Sequence, residues 1–192
     1  MPETPLTDLA SISTGFVFRT KIEDDPAGDV LVIQGKDINI ERRLFAPEKL
    51  THVHLPANAR PADKLVQRND ILLMTRGVHP YATHIDLDLP PTVPQNSFTL
   101  IRVTQPDRLL PAFLAMILNQ SAMQARLRRN QGGSSIPNIP ISALRQLTIP
   151  LPSYQRQSTL IRLQDSIRRE KNLHRDIEAK QQSLLDALII SD

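Results

Sequence analysis

The 192-residue chain has no cysteine. This excludes disulfide bridges, thiolate nucleophiles and cysteine-ligated metals, and it fits a reducing, cytoplasmic setting. No apolar run approaches the roughly 20 residues that span a bilayer. The start, MPETPLTDLA, lacks the basic residues and apolar block of a secretory signal. Signatures of catalysis are missing as well. Gly35-Lys36 has neither the upstream glycine nor the following Ser or Thr of a phosphate-binding loop. There is no Asp/Asn-Pro-Pro-Tyr/Phe or Phe-x-Gly-x-Gly motif, and no carboxylate cluster with a lysine in the manner of a nuclease. His52 and His54 alternate on one candidate strand but lack a third metal ligand, so they read as ordinary surface residues. Asp24-Asp25 reads as a solvated turn.

Neither sign of charge is in large excess, with a net charge of +3. Its distribution is uneven. Residues 121–150 hold Arg126, Arg128, Arg129 and Arg145 and no acid, whereas residues 23–29 hold Glu23, Asp24, Asp25 and Asp29. Arginine suits bidentate contacts to phosphate and guanine. The length allows one sizeable core and an extension rather than two full domains.

Several short runs predict strands: residues 16–18, Val30-Leu31-Val32-Ile33, residues 52–54, Ile71-Leu72-Leu73-Met74 after an Asn69-Asp70 turn, residues 95–103, and Leu147-Thr148-Ile149. Residues 1–12 read as a polar lead-in with an apolar patch at Leu6, Leu9 and Ile12, and Pro90, Pro91 and Pro94 mark a connection. Residues 109–130 predict one helix, with Leu110, Phe113, Leu114, Ile117, Leu118, Met123 and Leu127 at helical spacing. Pro111 suits its first turn, three arginines its last, and Gly132-Gly133 its end. Residues 153–190 contain neither proline nor glycine. Ser153 is a candidate N-cap, and a helix over this span would be about 55 Å long. A 3-4 ladder runs through Leu160, Leu163, Ile167, Glu170, His174, Ile177, Gln181, Leu184 and Leu188, a coiled-coil seam with a polar middle. A lone helix of this length cannot bury its own stripe and needs a partner.

Residues 132–157, GGSSIPNIPISALRQLTIPLPSYQRQ, join these two parts. A Gly-Ser loop, a Pro-spaced connection, the Ile-Pro-Leu-Pro turn and Gln157 follow in order. This stretch resembles the same region of type I restriction-modification specificity (S) subunits. So does Ser13-Thr14-Gly15-Phe16, which is similar to the opening of that family's recognition domain. Gly35-Lys36-Asp37-Ile38 resembles a strand-following Asp-Ile element, although the aromatic often found in the strand is missing. Residues 69–77 resemble its Gly-Asp-Ile-Leu-Leu element, with Asn69 where glycine is usual, and the strand ending at Arg102 resembles a further element.

The resemblance implies an α+β chain: a mixed-strand target recognition domain over residues 1–150, then one long coiled-coil spacer and dimerisation helix over residues 151–192. A full S subunit has two of each, so the chain is half-sized. It further implies a non-catalytic subunit that binds double-stranded DNA. A methyltransferase subunit would dock on the helical surfaces and itself bind S-adenosylmethionine. A homodimer through antiparallel helices, with Leu160, Leu163, Ile167, His174, Ile177, Leu184 and Leu188 at the seam, would read a palindromic, bipartite site. Phosphate clamps call for cations on loops and helix ends, and base reading for Arg, Asn or Gln. The DNA-contact candidates are therefore Arg42, Arg43, Arg76, His79, Tyr81, Arg128, Arg129, Asn130, Gln131 and Ser134. A coiled-coil adaptor without sequence-specific DNA binding is the alternative, and it would lack clustering of these cations.

Overall fold

A computed structural model describes residues 3–39, 44–56, 59, 61–132 and 135–190. The strands are β1 (Glu3–Pro5), β2 (Ala10–Thr14), β3 (Val30–Ile33), β4 (Ile38–Asn39), β5 (Leu44–Phe45), β6 (Thr51–Val53), β7 (Ile71–Met74), β8 (Tyr81–His84), β9 (Thr92–Pro94), β10 (Phe98–Val103) and β11 (Thr148–Pro150). Helices α1 (Pro111–Leu118), α2 (Ser121–Arg129) and α3 (Ile141–Arg145) precede β11, and α4 (Tyr154–Ile190) follows it. The fold is α+β with mixed strands. An antiparallel sheet has the order β2-β10-β7-β8, and a second sheet, β6-β3-β9, pairs β3 with β9 in parallel.

Alternation along β7 explains its unbroken apolar run. Ile71 and Leu73 face a core shared with the helices, while Leu72 faces a second core with Ile33, Ile85, Phe98 and Leu100. Side chains point to opposite faces with period two, and here both faces are covered. Helix α1, PAFLAMIL, is apolar nearly all round because it lies between the β7–β8 layer and α4.

Three predicted elements differ. Of the predicted lead-in, residues 3–12 are part of the main core: Leu6 and Leu9 are fully buried, β1 pairs with β11, and β2 pairs with β10. Residues 16–18 form no strand. Phe16 makes only an isolated bridge to Gln95, and Gly15 lies so close to the Pro94 and Gln95 carbonyls that a Cβ there would clash. The predicted helix 109–130 is two helices. Gln120 is extended, and the Asn119 side chain turns away to bond both backbone groups of Ala82 on β8, with Ala82 N–H donating at 3.0 Å and Asn119 Nδ2 donating at 2.7 Å. The break lets an amide side chain satisfy the sheet's edge strand. The proline-marked connection also contains a strand, β9.

Two aspartates in the motif-like runs act as caps. Asp37 is buried and accepts the Gln34 N–H at 2.7 Å, and burial pushes its carboxyl up against that bond. Asp70 accepts the Gln67 N–H at 2.7 Å and a bidentate pair from Arg102 at 2.7 and 2.8 Å. Hydrogen bonding to Asp70 pushes the Arg102 guanidinium up. Asn69 has φ +74°, the left-handed region where glycine is at ease and asparagine is the common substitute.

Helix α4 begins with the Ser153 hydroxyl accepting the Arg156 N–H at 3.4 Å. Its first turns pack on the domain: Gln157 is fully buried, and Leu160 and Ile161 touch the main core. Beyond Asn172 every described side chain of the helix is exposed. Among the described residues no helix is long and apolar enough to cross a membrane.

Candidate nucleic-acid interface

Three loops are tied together at one rim of the domain. The first leaves β7. Thr75 and Arg76 donate their N–H groups to Ser97 O at 2.9 and 3.2 Å, and Gly77, at φ +120°, donates to Pro137 O at 2.9 Å. The second leaves α2, where Gln131 Nε2 donates to Gly77 O at 2.8 Å. The third precedes α3: Asn138 and Gly132 exchange two backbone bonds of 2.9 Å, and Ile139 N–H donates to Thr75 O at 3.0 Å. Every loop is thus bonded to the other two, so side chains on it are held in fixed relation.

This rim carries cations. Arg76, His79, Arg128 and Arg129 are exposed, and among the described residues none has an ion pair. Arg126 is different: it bonds Glu3 Oε1 and the Thr148 carbonyl, both at 3.2 Å, and so ties α2 to the β1–β11 pair. Sequence analysis placed Arg126 outside the DNA-contact candidates, but it could not name these partners. Asn130 Nδ2 donates to Arg126 O at 2.9 Å, closing the end of α2. With Gln131 also bonded inward, both amides keep their oxygen and a second amide hydrogen for an outside partner.

Tyr81, placed among the DNA-contact candidates by its sequence position, is half-buried in β8. It lines a groove of about 580 Å³ between β8 and α4, with Ala112, Met116, Ile161 and Arg168. His84 lies in the same groove, where burial pushes its imidazole down against a smaller pull from Asp86. Arg42, Arg43 and Ser134 lie outside the described residues. Asp24, Asp25 and Asp29 face His52, in β6, and His54, just past its end. His54 stands 3.7 Å from Asp25 and 3.4 Å from Asp29, and Asp24 accepts the His52 N–H at 2.8 Å. Among the described residues no group of three such side chains can hold a metal ion.

The family model for the type I restriction modification DNA specificity domain matches residues 2–180. The chain belongs to this family. Solved structures of specificity subunits share its fold. The S subunit of the type I restriction-modification system from M. genitalium is 19% identical, with a TM-score of 0.59 over 94% of this chain and 42% of its own. The HsdS subunit from Thermoanaerobacter tengcongensis is 16% identical, with a TM-score of 0.69 over 97% of this chain and 47% of its own. A chain from a study of complex assembly and conformational transition of the type I R-M system gives 16% identity and a TM-score of 0.69, over 97% of this chain and 43% of its own. This specificity-domain chain spans less than half the length of each, one recognition domain with one helix. No match was found among curated proteins.

On the specificity-domain helix, the projecting stripe is separate from the docked face. At 100° per residue, Leu163, Ile177, Leu184 and Leu188 lie across the helix from Gln157, Ile161, Gln164 and Arg168, which face the domain, and Ile167 and His174 lie at the stripe's side nearer that face. Leu163, Ile177, Leu184 and Leu188 are 57, 45, 63 and 64% exposed. Leu173 and Leu185, both exposed, flank and widen the stripe. Leu160 differs from the other seam candidates in packing on its own domain.

Proposed function

We propose that this chain is the DNA-recognising, non-catalytic component of a type I restriction-modification system. It reads double-stranded DNA through the rim that carries Arg76, His79, Arg128, Arg129, Asn130 and Gln131. Two copies pair their α4 helices antiparallel and set two recognition domains at opposite ends. A helix of about 55 Å spans about 16 base pairs, so the target is a palindromic, bipartite site. Methyltransferase subunits dock on the helices and bring S-adenosylmethionine and the chemistry.

The observation that carries this reading is the bonding of three loops into one rim whose arginines are exposed and unpaired among the described residues. Cations held this way suit phosphate contacts, which position a protein on the duplex. The test is the salt dependence of duplex binding, followed by fluorescence anisotropy. Arg76→Ala, Arg128→Ala and Arg129→Ala should each lower the slope of log K against log salt by about one. Unchanged slopes in all three would remove the rim from the interface and favour the adaptor reading.

Pairing is tested by light scattering on the Leu163→Glu, Ile177→Glu, Leu184→Glu variant. These side chains are exposed, so the monomer fold should persist. The wild type is expected at the mass of two chains and the variant at one. A monomeric wild type would overturn the homodimer.

A further inference from the structure

The rim also carries apolar side chains that neither its phosphate contacts nor the core explains. Val78 is 62% exposed and Ile136 is 64% exposed. They belong to two different loops, yet the backbone brings them together. Arg76 and Asn138 form an antiparallel bridge, and Gly77 N–H bonds Pro137 O at 2.9 Å. Val78 and Ile136 each lie one residue beyond this Gly77–Pro137 bond, on opposite loops. The tie sets two exposed aliphatic side chains beside the bridged pair Arg76 and Asn138.

In the major groove of a duplex, base edges present donors, acceptors and one apolar group, the C5-methyl of thymine. Two branched aliphatic side chains have no hydrogen-bonding atom and no π face for stacking on a base. Among base-edge groups, the methyl is the one their chemistry matches. The exposed arginines around them supply the charge that holds a duplex there. We propose that Val78 and Ile136 form an apolar reader for a thymine methyl group and fix one thymine position in each half-site.

This inference rests on the DNA-recognition reading. The test starts by selecting the target from random duplexes with the full chain. Each thymine of the selected site is then replaced by deoxyuridine, which removes the methyl and keeps the pairing. One position per half-site should lose about fourfold in affinity, the weight of one buried methyl group. Val78→Ser and Ile136→Ser should abolish that loss while leaving the salt slope and the melting temperature unchanged. A selected site without thymine would overturn the reader, as would tight binding indifferent to deoxyuridine. Deoxyuridine-indifferent binding that the serine variants nonetheless weaken would instead make the pair a wedge between base steps. Failure to select any sequence would overturn the recognition reading itself, and this inference with it.

Discussion

Gln157→Leu should unfold this protein about 10 °C earlier than the wild type. The substitution keeps the side-chain volume and removes only polar atoms. Gln157 is fully buried at the root of α4. Its Oε1 accepts the Leu110 N–H at 2.9 Å, and its Nε2 donates to Arg108 O at 2.7 Å and to Pro152 O at 3.0 Å. Leu110 stands just before Pro111, at the start of α1, so its N–H has no partner within the helix. Leucine would leave a donor and at least one carbonyl unpaired, each costing about 1–3 kcal/mol. A total near 3 kcal/mol corresponds to a drop of about 10 °C in a domain of this size.

Gln157→Glu separates the polar contribution from packing. An ionised carboxylate can still accept from Leu110 but faces two carbonyls, and burial raises its folded pKa above the ordinary value of about 4.3. The unfolded chain then binds fewer protons than the folded one between these two values, so stability falls as pH rises through them. The glutamate variant should approach wild-type stability at low pH, where its protonated carboxyl both accepts from Leu110 and donates to Arg108. At neutral pH it should be as unstable as the leucine variant. Equal melting of all three proteins at neutral pH would mean that Gln157 does not hold the helix. The consequence for function is angular: this residue joins α4 to α1, and so sets how the recognition rim is carried on the spacer.

How much of this was legible in sequence depended on the range of the interaction. Where local chemistry decided the structure, the reading was direct. The β-branched run at Val30–Ile33, the turn before Ile71 and the long proline-free helix all form as their residues dictate. Where a distant partner decided it, periodicity misled. Helical spacing continues through Asn119, yet the helix breaks there because the amide bonds β8. Leu6 and Leu9 looked like a patch on a tail because their burial depends on helices more than 100 residues away. At the rim, loops and cations were visible. Their mutual bonding was not, since Gly77, Gln131 and Asn138 carry no local sign that they meet. The bonds that tie Arg126 to Glu3 and Thr148 were equally hidden, since those partners lie 123 and 22 residues away. The family resemblance supplied order along the chain, and the structure supplies reasons. Asn69 stands at a left-handed position, and Gly15 stands where another backbone leaves no room for a side chain.

The Asp70–Arg102 pair is the second place where one substitution should matter most. The two residues lie in separate motif-like runs, yet they form one ion pair across the β7–β10 layer. Asp70 is 1% exposed in its side chain, while Arg102 is 31% exposed and also donates to Leu65 O at 2.9 Å. Removing the aspartate strands the Gln67 N–H and two guanidinium donors. Because Arg102 reaches water, the cost should fall at the low end of what breaking a buried pair does, about 3 kcal/mol for Asp70→Ala. Arg102→Leu should cost more, about 4 kcal/mol, because it leaves a fully buried carboxylate with only one N–H to stabilise it. The double variant should lose less than the two single losses added together, because neither charge is then left behind. Urea unfolding of the four proteins closes this cycle. Additive losses would show that the pair is incidental. Coupling of about 2 kcal/mol would show that it holds the root of β7, and β7 ends in the loop that carries Arg76 and Val78. In that case Asp70→Ala should also weaken selective DNA binding without touching a single DNA contact, and Arg76→Ala should weaken it without moving the unfolding midpoint.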